Sequence, residues 1–175
     1  MRTVTTLLLT VVLAGACTPD EDNLSMDATQ LMAPVFAVKG DQFKTHATGA
    51  EEVPPNDSRA QGQAVFRLSD DGMTLSYKLI VANIENVLMS HIHLAPAGSN
   101  GNVVVWLYPS APPPQLIPGR TQGVLAEGEI TSADLVNDLA GADVEDLLDA
   151  IRAGNAYVNV HTSQFPLGEI RGQLR

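Results

Sequence analysis

From about position 42 onward, apolar and polar residues alternate in short runs, and this period of two predicts strands. Gln42-Phe43-Lys44-Thr45-His46-Ala47 alternates throughout. Gln61 to Ser69 places Ala64, Phe66 and Leu68 on one face. Met73 to Ala82 places Leu75, Tyr77, Leu79 and Val81 on one face and Thr74, Ser76 and Lys78 on the other. Between them, Asp70-Asp71-Gly72 is hairpin chemistry. Asn83-Ile84-Glu85-Asn86 predicts a turn into a further strand, Leu88 to Leu94, followed by a buried one, Val103 to Tyr108. Gly123 to Ile130, Tyr157 to Thr162 and Glu169 to Leu174 complete the set. The period changes once: between Asp143 and Arg152 the apolar residues are Val144, Leu147, Leu148 and Ile151, which is helical spacing, closed by Gly154. Thr131 to Leu135, with a capping residue and an early acid, opens a second short helical segment.

Prolines and glycines divide these elements. Gly49 to Asp57 carries Pro54 and Pro55, Pro109 to Gly119 carries Pro112, Pro113 and Pro114, and Ala95 to Asn102 is rich in Gly, Asn and Ser. About eight short strands at regular spacing, with one or two short helices between them, predict a mainly β chain. The expected architecture is an antiparallel β-sandwich with Greek-key, immunoglobulin-like or superoxide-dismutase-like connections.

The first forty residues do not follow this pattern. Met1-Arg2-Thr3 is a short basic start, Val4 to Leu13 is apolar apart from Thr, and Ala14-Gly15-Ala16 leads directly to Cys17. That apolar run is too short for a stable membrane-spanning helix and has the form of a secretory signal. Small residues ending at a cysteine resemble the bacterial lipoprotein signal, with Ala14 where Leu is commoner. The resemblance implies a signal peptide over residues 1–16, a lipidated Cys17, and a flexible tether from 17 to 40 holding a domain of residues 41–175 off the membrane. It also implies a cell-envelope location, by default the outer membrane of a Gram-negative host on its periplasmic side or surface. Cys17 is the only cysteine, so no intramolecular disulfide is available.

The formal charge of −10 disfavours nucleic acid, because an acidic surface repels phosphate and no basic run offsets it. The expected partners are the membrane, through the lipid, and a protein or small ligand that the sequence does not identify.

The candidate chemistry lies in the histidines. His91 and His93 are one residue apart in a predicted strand and so share a face; Asn159 and His161 share a face of another. If the two strands are neighbours, three imidazoles converge, with His46 as a possible fourth ligand. Neutral imidazoles suit zinc or copper, and three of them leave an open coordination position. The alternative is structural: strand histidines commonly hydrogen-bond a neighbouring turn, here with Glu169 or the Asn100 loop as partner and Asn159 ordering that loop. Glu169 and Arg171 also share a face, and the simple reading is a structural ion pair. No Gly-x-Ser-x-Gly elbow is present. Glu51-Glu52 and Asp70-Asp71 read as loop and turn residues, so no enzyme is expected.

Four segments in order resemble the CHRD domain, a module described in chordin and found in bacterial secreted proteins. They are Ala47 to Pro55; His91-Ile92-His93 with Gly98 to Gly101; Tyr157 to Thr162; and Pro166 to Leu174. The resemblance covers roughly Gln42 to Arg175. It implies an extracellular β-sandwich with a non-catalytic binding or interaction role. The last segments are also locally similar to copper/zinc superoxide dismutase, but four histidines cannot fill its two metal sites. The rival expectation is a periplasmic copper- or zinc-binding protein.

Overall fold

A computed structural model describes residues 41–175; the signal peptide, Cys17 and the tether lie outside the described residues. Seven strands form: β1 (Gln42–Thr48), β2 (Gln61–Leu68), β3 (Leu75–Leu94), β4 (Asn102–Tyr108), β5 (Ile117–Ile130), β6 (Ala156–Thr162) and β7 (Ile170–Gln173). One α-helix, α1 (Val144–Arg152), and three short 3-10 turns complete the described chain.

The sandwich expectation is overturned. The strands close into a five-stranded barrel, β1-β2-β3-β6-β7, with β4 and β5 added along β3. The cause is β3. The turn expected at Asn83–Asn86 does not end the strand; β3 runs through it for 20 residues. Asn83 and Asn86 take positive φ values of 56° and 54°, a conformation Asn tolerates better than most residues. The pairing of β3 with β5 shifts register on either side of Ile84 and Glu85, as a bulged strand must. β5 holds both bends: Arg120 donates to Asn83 Oδ1, and the Gly119 N–H donates to Asn86 Oδ1 at 2.9 Å. The bent strand therefore pairs with β2 through Leu75–Ala82 and with β6 through Val87–Leu94. A sandwich would need those two partners in separate sheets; here one strand joins them.

The ring closes between β1 and β7. Thr48 pairs with Arg171, and Lys44 and Arg175 exchange backbone hydrogen bonds of 2.8 and 3.1 Å. Gly172 makes that approach feasible: a Cβ there would lie 2.3 Å from Thr45 Oγ1 and 2.5 Å from the His46 carbonyl oxygen.

The core includes Phe66, Leu75, Leu79, Ile84, Ile92, Val158, Val160 and Ile170. Helix α1 adds Val144, Leu147, Leu148 and Ile151, as its spacing predicts. A nine-residue helix is marginal alone. Each of those four side chains gains about 1.5–3 kcal/mol on burial, so packing holds the helix in place. Its first turn is closed by Asp146, which accepts from the Asp143 N–H at 2.9 Å.

Replacing Gly172 with Ala is expected to lower unfolding stability by about 1–3 kcal/mol, the usual cost of overpacking, because a backbone carbonyl cannot move aside as a side chain does. Urea denaturation monitored by circular dichroism measures this; an unchanged midpoint would mean that the β1–β7 seam tolerates a methyl group.

Candidate metal centre

The pairing of β3 with β6 sets the site. His91 lies opposite Asn159, His93 opposite Tyr157, and Met89 opposite His161. In β7, Arg171 lies opposite Asn159. Alternation sends Ile92, Val158, Val160 and Ile170 into the core, so His91, His93, Tyr157, Asn159, His161 and Arg171 share the opposite face. That face is nevertheless buried, because the loops after β1, β3 and β6 fold across it. His91, His93 and His161 are only 2%, 8% and 6% exposed.

Two of the imidazoles are fixed by backbone carbonyls. His93 Nδ1 donates to the Gly101 carbonyl at 3.0 Å, and His161 Nδ1 donates to the Pro166 carbonyl at 3.1 Å. A carbonyl only accepts, so each Nδ1 carries the proton and each Nε2 keeps its lone pair. This is the arrangement by which protein groups orient histidines that ligate metals. The Gly101 carbonyl reaches His93 because the loop turns tightly; a Cβ on Gly101 would overlap the Leu94 carbonyl oxygen, at 1.8 Å.

His91 joins the pair directly, with Nδ1 3.3 Å from His161 Nε2. The three residues offer one nitrogen each, all within 4.8 Å of one another. Bonds of about 2.0–2.1 Å at tetrahedral angles require spacings of about 3.3 Å. The His91 Nδ1–His161 Nε2 spacing already matches, and the remaining spacings are no more than 4.8 Å. His91 Nε2 and His93 Nε2 are buried without a hydrogen-bond partner among the described residues. Trp106 of β4 stands edge-on to His91, with ring centroids 4.3 Å apart.

Burial keeps all three rings neutral, the form that binds metal. It is the main cause pushing His91 down to about 3, assisted by the neighbouring His161 and His93. Burial likewise pushes His161 down to about 4, against the pull of its bond to Pro166. His93 is lowered chiefly by burial, with the Arg171 cation acting in the same direction and the Gly101 carbonyl opposing.

A second layer supports the imidazoles. Tyr157 stacks on His93 at 4.9 Å, and the Arg171 guanidinium lies 3.5 Å from the Tyr157 ring centre. Arg171 also donates to Asn100 Oδ1 at 3.2 Å and to the Pro96 carbonyl at 3.3 Å, which ties down the loop that supplies Gly101. Asn159 Nδ2 donates to Glu52 Oε1 at 2.6 Å and to the Ile170 carbonyl at 3.4 Å. Burial raises the Glu52 carboxyl to about 7, although Arg171 and Asn159 both act to lower it. Glu169 accepts from Ser58 Oγ at 2.6 Å and Thr162 Oγ1 at 2.7 Å.

The structure thus brings together His91, His93 and His161, as the alternation predicted, and leaves His46 apart. His46 is exposed on β1, which pairs with β2 and β7 rather than with β3 or β6, the strands that carry the other three. Glu169 and Arg171 do not pair with each other: Glu169 is held by hydroxyls, and Arg171 by Tyr157 and the Asn100 loop. The expected Asn100 loop does partner a histidine, through Gly101. Glu52 was missed, because an acid in a proline-bearing loop carries no period. Trp106 was missed too, although the only tryptophan of the chain, in the strand following the His pair, was a usable signal.

The CHRD domain family model matches residues 43–174, and the chain belongs to that family. Comparison with curated proteins and with solved structures gives no match.

The depressed imidazoles make stability depend on pH with a definite sign. An unfolded histidine takes its proton near 6.5, whereas folded His161 and His91 resist until about 4 and 3. Between those values the unfolded chain binds more protons, so the metal-free domain loses stability as pH falls below 6.5. Glu52 acts oppositely between 4.5 and about 7, but one carboxyl opposes three imidazoles. The urea midpoint is expected to fall from pH 7 to pH 4.5, and to fall less in His91→Gln, which cannot titrate. Equal pH dependence in the two proteins would contradict this account.

Proposed function

We propose that this CHRD domain is a non-catalytic metal-binding module of the cell envelope, in which His91, His93 and His161 hold a zinc or copper ion. One observation carries the reading: three neutral imidazoles converge, and two of them have Nδ1 committed to a carbonyl so that Nε2 is left to ligate. Imidazole donors suit both metals, and geometry rather than charge would select between them. The near-complete burial of the rings fits holding an ion better than admitting a substrate. The reading includes anchoring through a lipid on Cys17, and the acidic chain would concentrate cations around the site.

A second reading, binding of a protein or small ligand, draws on the loop beside the site. Val53, Pro54, Pro55, Phe165, Pro166 and Leu167 line an apolar cleft of about 260 Å³, and Leu167 is 92% exposed. The two readings are compatible, because Pro166 also orients His161.

Metal analysis after loading with Zn²⁺ or Cu²⁺ and desalting is expected to give one ion per chain. His91→Ala and His161→Ala should lose it, and His46→Ala should keep it. The loaded protein should also melt at a higher temperature than the metal-free one, since an ion that binds only the folded state stabilises it. Equal metal content in wild type and His91→Ala would remove the three-histidine site.

A further inference from the structure

The three histidines account for three positions of a tetrahedral ion. A separate observation bears on the fourth. Asn159 Oδ1 is buried and has no hydrogen-bond partner among the described residues. An amide carbonyl enclosed in protein without a donor is costly. Its orientation is nevertheless well determined. The amide nitrogen faces two acceptors, Glu52 Oε1 at 2.6 Å and the Ile170 carbonyl at 3.4 Å, and only an NH₂ group can serve both. Ile170 belongs to β7, on one side of β6. The oxygen, on the other arm of the same planar group, is therefore turned towards β3, where His91 lies directly opposite Asn159. Gly168 holds the clamp closed: a Cβ there would lie 2.6 Å from both Asn159 Nδ2 and Glu52 Oε1.

We infer that the fourth ligand of the ion is a water molecule, and that Asn159 Oδ1 holds it by accepting one of its protons. The inference rests on the three-histidine reading and assigns its remaining position. Asn159 is a positioning residue here; Glu52 fixes the amide, and the amide selects what sits on the metal. An acceptor oxygen favours a ligand that brings a proton. It disfavours an anion such as azide, whose coordinating nitrogen has no hydrogen and would set a lone pair against Oδ1. The site should therefore prefer water over small anionic ligands, and removing the carbonyl should relax that preference.

The test uses Co²⁺ as a spectroscopic ion and azide as the competing ligand. The background is Glu52→Gln, which keeps a carbonyl oxygen for Asn159 Nδ2 but leaves no buried carboxylate to lose its partner. Azide is expected to perturb the visible Co²⁺ spectrum of Glu52→Gln weakly, and to bind about tenfold more tightly in Glu52→Gln/Asn159→Leu, the effect of one hydrogen bond to a polar ligand. Asn159→Ala in the same Glu52→Gln background gives the same comparison should the Leu variant fail to fold. Equal azide affinities with and without the carbonyl would overturn the inference. So would a Co²⁺ spectrum insensitive to azide until Asn159 is replaced, because Oδ1 would then itself be the fourth ligand. Failure of the wild-type protein to take up Co²⁺ at all would instead sink the three-histidine reading, which separates the two claims.

Discussion

The double pairing of β3 is the constraint on which the rest depends. A strand that bonds β2 along one half and β6 along the other must bend between them, and the two left-handed asparagines supply the bend without ending the strand. The ring then closes through β1 and β7, with Gly172 giving the clearance. The same bend brings the last eight residues of β3, Val87–Leu94, alongside β6. His91 and His93 gain their cross-strand neighbours only because the strand continues past Asn86.

The polar face that results is an unusual thing to bury, and its hydrogen bonds explain how it is tolerated. Two imidazoles give their protons to backbone carbonyls, Glu169 takes two hydroxyl donors, and the Arg171 cation spreads over Tyr157, Asn100 and Pro96. Of the six buried side-chain atoms without a partner among the described residues, three fall on this face, His91 Nε2, His93 Nε2 and Asn159 Oδ1; the others are the hydroxyls of Thr45, Ser90 and Thr121. Most buried polar groups in a native protein are satisfied, so the three on this face mark a place where a further group belongs.

Local features of the chain were legible, and the closure was not. The alternation in Gln61–Ser69 and Met73–Ala82 located a hairpin, and the spacing of Val144, Leu147, Leu148 and Ile151 located a helix. Shared faces for His91 with His93, and for Asn159 with His161, followed from the period of two. Asn-rich tetrapeptides usually reverse a chain; whether this one does depends on Arg120 and Gly119, more than thirty residues away. That long-range bracing leaves no mark in a local pattern. Glu52 escaped for a related reason: its burial depends on Asn159 and Arg171, which reach it only after the ring has closed.

The separation of the ligands along the chain has a consequence of its own. His91 and His161 are 70 residues apart, and the segment between them contains β4, β5 and α1. With one cysteine, the protein cannot tie that segment into a covalent loop. An ion shared by the two imidazoles would act as a removable cross-link, restricting the unfolded chain much as a disulfide does across a loop of comparable length. Unlike a disulfide, it would answer to metal supply rather than to redox conditions, so the rigidity of this half of the domain would track the metal content of its surroundings.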